Sequence, residues 1–247
     1  MKGDLRAETI WLDGHGGDRI EAYLAEPLDQ RPTGAMVVIH HMPGYDEGTK
    51  EITRKFAAEG YLALCPNLYT REAPGASADD AAATARAQGG VPDERLVGDV
   101  GGCVKFLRDL PHSNGKVGVI GYCSGGRQSF LAACKLSLQA AIDCYGAFVV
   151  GQPPEGFPLK VRPLSDLADQ LACPLLGLFG AEDQHPSSAE VQELDDLLSG
   201  HGKSHEFRSY QGAGHAFFAV DRPSYRPEAA KDGWSRIWQF LAVNLAA

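Results

Sequence analysis

The stretch that decides the fold is Val117-Gly118-Val119-Ile120-Gly121-Tyr122-Cys123-Ser124-Gly125-Gly126-Arg127. An apolar run of the kind that forms a buried strand stops at Gly121, and the chain then turns through Cys123. Two further glycines follow, and the residues after them have a helical pattern. The stretch therefore predicts a strand, a tight turn with a thiol at its tip, and a helix.

The glycines on either side of Cys123 have a physical explanation. Their spacing is that of a nucleophile elbow, with cysteine in the usual place of serine. In such a turn, the residues two before and two after the nucleophile crowd against the strand and the helix, so only a minimal side chain fits. The positive end of the helix would also favour the reactive thiolate. Ser124 is not a rival nucleophile, because Tyr122 occupies the glycine position that it would require. The alternative interpretation is a buried cysteine in a glycine-rich turn.

Short apolar segments alternate with amphipathic segments along the chain. Predicted strands cover residues 35–40, 62–65, 117–120, 140–145, 175–179 and 205–210, and predicted helices cover 49–59, 93–110, 125–136, 187–199 and the chain from about 227. The segments 9–12 and 20–25 predict an antiparallel hairpin at the sheet edge. This alternation predicts a mostly parallel sheet with helices on both faces. Ligands of such sheets bind beyond the carboxyl ends of the strands.

The composition limits the classes of partner. With 247 residues, of which 44% are hydrophobic, the chain suits a large α/β domain rather than a disordered segment. The formal net charge of −9 argues against a nucleic acid or an anionic membrane as a partner. No apolar run is long enough to span a bilayer, and the charged start of the chain does not resemble an export signal. We therefore expect a cytoplasmic protein, whose six cysteines are reduced thiols rather than disulfides.

A cysteine nucleophile needs a base and an acid that orients the base. Asp183 follows the predicted strand 175–179, and His215 follows the last predicted strand, between glycine and an apolar pair. The chain order of nucleophile, acid and base is that of the α/β-hydrolases. Taken alone, Asp183 could be a helix cap and His215 a surface-loop histidine. Glu182 lies beside Asp183 as a second candidate acid.

These motifs resemble those of the dienelactone hydrolase family, whose members are also called carboxymethylenebutenolidases. The similar stretches, beginning near residue 20, are Gly60-Tyr61-Leu62-Ala63-Leu64-Cys65-Pro66-Asn67-Leu68-Tyr69, Ser113-Asn114-Gly115-Lys116-Val117-Gly118, Gly121-Tyr122-Cys123-Ser124-Gly125-Gly126, Gly180-Ala181-Glu182-Asp183 and Ala213-Gly214-His215-Ala216-Phe217. The resemblance implies a single α/β-hydrolase domain over residues 1–247, without a metal or an organic cofactor. It also implies hydrolysis of a small-molecule ester or enol-lactone by a cysteine triad.

Carried over by position, the resemblance makes Cys123 the nucleophile, His215 the base and Asp183 the acid that orients it. The backbone N–H groups of Met42 and Ser124 would form the oxyanion hole.

The substrate-binding positions depart from the family pattern. Arg86 falls where the family keeps an arginine for the substrate carboxylate. The family's glutamate after the first parallel strand is replaced by His41, which we expect to stand beside the thiol as a cation. The second substrate-binding arginine is Ala219 here, and Arg222 or Arg226 could substitute for it from the same loop. These departures predict a relaxed range that includes neutral esters as well as acidic lactones.

Other residues admit more than one role. Tyr122, Tyr145 and Phe217 could line the pocket or simply pack in the core. His40 and His41 are adjacent on a strand and point to opposite faces, so they cannot readily share a metal ion. We expect buried polar packing for His40.

Three functional interpretations stay open at the level of sequence. The first is a dienelactone hydrolase-like enzyme. The second is a broad carboxylesterase or thioesterase, and the third is a thiol sensor or small-molecule binding protein. An ordered acid and base favour the first two, because a sensor needs neither. A panel of lactones and open-chain esters would separate the first two. We expect a monomer or a small homo-oligomer.

Overall fold

The computed structural model describes residues 3–29 and 31–246. Met1 and Lys2, which belong to the charged start of the chain, lie outside the described residues, as does the last residue of the predicted domain, Ala247. One sheet contains β1 (Leu5–Asp13), β2 (Arg19–Pro27), β3 (Thr33–Ile39), β4 (Leu62–Pro66), β5 (Ser113–Tyr122), β6 (Ala140–Cys144), β7 (Leu175–Gly180) and β8 (His205–Tyr210). Their order is β1-β2-β4-β3-β5-β6-β7-β8.

The strand directions match the prediction. Strand β2 pairs antiparallel with both β1 and β4, whereas the pairings from β4 through β3 to β8 are all parallel. The amino-terminal hairpin therefore extends a parallel sheet as its antiparallel edge. The carboxyl ends of the parallel strands meet at one edge, where the loops after them converge.

Helices cover both faces of the sheet. They are α1 (Glu47–Ala58), α2 (Ala78–Ala87), α3 (Asp93–Asp109), α4 (Ser124–Lys135), α5 (Ser188–Gly200) and α6 (Pro227–Asn244). Alternate residues of β3 enter two separate cores: Val37 packs on the side of α2 to α5, and Val38 packs on the side of α1 and α6. This period-two alternation is what a strand buried on both faces requires.

One helix, α2, was not predicted from the sequence. Its apolar residues are all alanines, so the segment lacks the larger side chains that mark a buried helical stripe. Its start does carry a signal, because the Ser77 side chain accepts a hydrogen bond from the Asp80 N–H, as an N-cap residue does.

The turn between β5 and α4 has the predicted elbow conformation. Cys123 has φ 57° and ψ −120° and stands between the last strand residue and the first helical residue. A Cβ on Gly121 would lie 1.8 Å from the Gly125 carbonyl oxygen, and one on Gly125 would lie 2.5 Å from the Ile39 carbonyl oxygen. Strand, helix and the neighbouring β3 therefore approach one another through the two glycines.

Replacing Gly121 with alanine should consequently destabilise the fold and abolish any hydrolysis that depends on Cys123. The added methyl group meets backbone rather than a side chain that can move, so we expect a loss of about 3 kcal/mol in the free energy of unfolding. Gly101→Ala is the matched control, since its Cβ would meet only the Leu136 side chain at 3.5 Å. Within helix α3 this control should gain up to about 1 kcal/mol. Urea unfolding measures both values, and equal stabilities for the two variants would contradict the proposed crowding.

Candidate active site

A cavity of about 510 Å³ opens at the carboxyl edge of the parallel strands. The loops after β3, β5, β6, β7 and β8 all contribute to its wall. The residues that line it include His41, Met42, Cys123, Ser124, Arg127, Tyr145, Ala147, Phe148, Phe157, Leu159, Val161, Asp183, His185, His215, Ala219 and Arg222. The loops that the sequence singled out thus meet in one place.

Cys123 is the only half-buried cysteine among the described residues, and the other five are buried. All six are free thiols. Burial raises the pKa of each of the five, which keeps them as unreactive thiols. Cys123 instead lies in the cavity at the amino-terminal end of α4, where the helix dipole favours an anion.

Asp183 is the acid that engages the histidine. The His215 Nδ1 lies 2.8 Å from the Asp183 Oδ2, and the other carboxylate oxygen accepts the His185 N–H at 2.9 Å. Asp183 is only 6% exposed. The neighbouring Glu182 is exposed. Two hydrogen bonds therefore hold Asp183 in the position that orients the imidazole.

His215 and Cys123 lie in the wall of the same cavity. Burial by itself would lower the pKa of His215, but the hydrogen bond to Asp183 and the neighbouring Cys123 side chain together raise it to about 10. The edge of the Tyr145 ring packs on the imidazole, with the ring centroids 5.1 Å apart. The arrangement stabilises an imidazolium beside the sulfur.

Met42 and Ser124, the predicted oxyanion donors, both line the cavity. Ser124 is the first residue of α4, so its N–H has no acceptor within the helix. The Tyr69 hydroxyl donates to the Met42 carbonyl at 3.0 Å and fixes the loop after β3.

His41 lies in the cavity wall, but it is paired. Its Nε2 is 2.6 Å from the Asp46 Oδ2. Burial of Asp46 favours its neutral form, but the hydrogen bond and charge of His41, together with the hydrogen bonds from Thr49, outweigh burial and hold the pKa of Asp46 well below its ordinary range. His41 is therefore paired with Asp46, and its action on the thiol stays a prediction. The other oxygen of the Asp46 carboxylate accepts the Thr49 N–H and caps α1. An aspartate just before a helix was therefore the sequence signal for this residue.

The candidate arginines occupy different places. Arg222 lines the cavity, whereas Arg86, in the last turn of α2, is not among the residues that line it. Burial raises the pKa of Tyr69 to about 12, and the charge of Arg86 partly opposes this. Arg226 donates to the Gly212, Pro223 and Tyr225 carbonyls and serves its own loop.

Arg127 reaches the cavity although the sequence analysis gave it no role. It is 3% exposed and forms a two-pronged ion pair with Asp93, at 2.8 and 3.0 Å. The Arg127 charge is therefore neutralised within the protein. The sequence signal for a position near the site was that Arg127 directly follows the glycines of the elbow.

The remaining candidates are structural or lie elsewhere. Phe217 is fully buried and packs in the core on the side of α6, and Tyr122 is buried and lines a second cavity. Both nitrogens of the buried His40 are hydrogen-bonded, to the His41 carbonyl and the Leu68 N–H, and burial lowers its pKa to about 4. His40 thus has the packing role that was predicted.

Within residues 3–29 and 31–246, no group of three or more His, Cys, Asp or Glu side chains is placed to hold a metal ion. Over the same part of the chain, no helix is both long enough and apolar enough to cross a membrane.

Comparison with known proteins agrees with the fold. A solved structure from Klebsiella pneumoniae, titled a “Putative Dienelactone Hydrolase”, superposes with a TM-score of 0.85 at 29% identity, over 97% of this chain and 99% of that one. A protein of Methylorubrum extorquens named “Putative carboxymethylenebutenolidase” is 33% identical over 88% of this chain and 75% of its own length. A Bradyrhizobium protein named “Probable 2-oxo-3-(5-oxofuran-2-ylidene)propanoate lactonase” is 28% identical over 98% of both chains. The sequence model of the dienelactone hydrolase family matches residues 20–245. The chain belongs to the dienelactone hydrolase family, whose members are carboxylic ester hydrolases with the α/β-hydrolase fold.

Proposed function

We propose that this protein hydrolyses carboxylic esters and enol-lactones through a covalent acyl-enzyme on Cys123. The observation that carries the proposal is the hydrogen bond between Asp183 and His215 in the wall of a largely apolar cavity that Cys123 also lines, where the sulfur and the carboxylate both act on the imidazole. Neither a simple binding site nor a thiol sensor needs an acid that orients a base toward the sulfur.

In the first half of the reaction, the Cys123 thiolate attacks the carbonyl carbon of the substrate. A C–S bond forms, and the carbonyl oxygen takes the negative charge, which the N–H groups of Met42 and Ser124 stabilise. The C–O bond to the leaving oxygen then breaks, and the leaving oxygen takes the proton from His215. In a lactone the leaving oxygen stays attached to the acyl group.

In the second half, His215 takes a proton from water, and the resulting hydroxide attacks the thioester carbon. The C–S bond breaks, the acid product leaves, and the thiolate and protonated His215 are restored. Because the pKa of His215 is raised to about 10, the imidazole holds its proton at neutral pH and loses it as the pH rises through that value.

The cavity itself suggests the kind of acyl group. Phe148, Phe157, Leu159 and Val161 supply an apolar wall, and Arg222 contributes a cation. We therefore assign the substrate carboxylate of an acidic lactone to Arg222 rather than to Arg86. A single arginine on a largely apolar wall also admits neutral acyl groups, as predicted from Ala219.

Cys123→Ala should remove nearly all hydrolysis of an activated ester, and Cys123→Ser should retain only a small fraction. A serine hydroxyl is much harder to ionise beside His215 than a thiol. The loss should reach about 10⁴-fold or more in kcat for the alanine variant, as for other triad nucleophiles. Cys173→Ala, which changes a buried thiol that does not line the cavity, is the control. Hydrolysis by Cys123→Ala at the wild-type rate would show that the thiol is not the nucleophile.

Asp183→Asn should lower the pKa of His215 toward its ordinary range, because it removes the carboxylate that stabilises the imidazolium. The expected loss in kcat is about 10⁴-fold, the size found when a triad carboxylate becomes an amide. NMR titration of the imidazole nitrogens measures the pKa directly. Glu182→Gln is the matched control beside it, and a larger shift there than at Asp183 would reassign the acid.

A further inference from the structure

A second cavity, of about 350 Å³, lies beside the first and has no part in the reaction described above. It is formed mainly by α1, the loop after β8 and Trp234 of α6. Three residues, His41, Tyr145 and Ala219, line both cavities. Its volume lies in the range of small-molecule sites, roughly 300–1,000 Å³.

The shared wall stands on the side of the catalytic base. Tyr145 packs against the His215 ring at 5.1 Å, and Ala219 follows His215 by four residues in the same loop. In a triad hydrolysis, the base gives its proton to the leaving oxygen, so the leaving group must lie on the base's side of the scissile carbonyl. On the opposite side of the reacting bond, the acyl group has the apolar wall of the first cavity available.

We propose that the second cavity binds the leaving alcohol of an open-chain ester, an aromatic alcohol that is neutral or cationic. The inference rests on the proposed function and extends it from the acyl group to the other half of the substrate.

The aromatic preference follows from the lining. Tyr122, Tyr145, Phe218 and Trp234 contribute rings, and Ile52 adds an aliphatic surface. Offset or edge contacts with such rings favour an aromatic occupant. Tyr122 is 5% exposed, and its buried hydroxyl has no hydrogen-bond partner in the described part of the chain.

The charge preference follows from the ionisable groups. Of the three carboxylates on the lining, Asp46 is paired with His41 and Glu51 is paired with Arg54 at 2.7 Å. Asp221 then stands against the cation Lys55, which lies over the Trp234 ring, 3.9 Å from its centroid. The cavity therefore offers no excess positive charge to an anionic alcohol, whereas Arg222 admits an anion on the acyl side.

Ala219 offers the sharpest test, because its methyl group is the smallest side chain on the shared wall.

Four esters of one aliphatic acid are compared by kcat/KM: methyl, benzyl, 4-(aminomethyl)benzyl and 4-carboxybenzyl. The wild-type enzyme should prefer the benzyl ester to the methyl ester by at least roughly tenfold, since one buried methylene alone can be worth that much. The carboxybenzyl ester should fall below the benzyl and aminomethyl esters.

Ala219→Leu should narrow the wall and reduce the benzyl-to-methyl ratio by roughly tenfold. The effect should appear in the acylation burst, because the alcohol has departed before deacylation. Ala147→Leu, on the first cavity alone, is the matched control: it should change the preference for acyl length and leave the benzyl-to-methyl ratio as in the wild type.

A second measurement uses the wild-type protein alone. The acyl-enzyme should transfer its acyl group to benzyl alcohol faster than to methanol at equal concentration, because the reverse step uses the same subsite. A benzyl-to-methyl ratio near one, or equal transfer to the two alcohols, would overturn the alcohol subsite while leaving the hydrolase intact. If no ester of any alcohol is hydrolysed, the proposed function itself fails.

Discussion

The close approach of three backbone segments at the elbow is the constraint on which the rest of the site depends. Gly121 and Gly125 leave no room for a side chain, and Cys123 between them adopts φ 57°. A residue with a side chain rarely accepts this conformation, so the surrounding sheet and helix must impose it. The turn holds the sulfur at the amino-terminal end of α4, in the cavity that His215 also lines.

The electrostatics of the site depend on that placement. Cys123, at a helix amino terminus, and the buried, doubly hydrogen-bonded Asp183 both raise the pKa of His215 and so favour its protonated form. The other five thiols are placed in surroundings that favour the neutral form. The fold thus separates one half-buried thiol from five buried ones by exposure and surroundings rather than by any difference in the residue itself.

The sequence predicted the features that depend on local pattern. The parallel strands follow from buried apolar runs. Cys123, Asp183 and His215 could be selected as candidates because each lies in the loop after a strand whose end the pattern marks. The pairing of His41 with Asp46, the position of Arg86 outside the cavity and the burial of Tyr122 depend on how side chains turn in three dimensions. Periodicity contains no information on those directions. The second cavity forms between α1 and a loop about 170 residues away, a juxtaposition that only the assembled sheet creates.

The most direct test of the central claim is to capture the covalent intermediate. The wild-type protein is mixed with an activated ester and quenched in acid within the first turnover, and the intact mass and the proteolytic peptides are then measured. The account predicts a mass gain equal to one acyl group, on the peptide that contains Cys123, which appears before the free acid accumulates. Turnover without any acylated protein, or acylation at another residue, would contradict it.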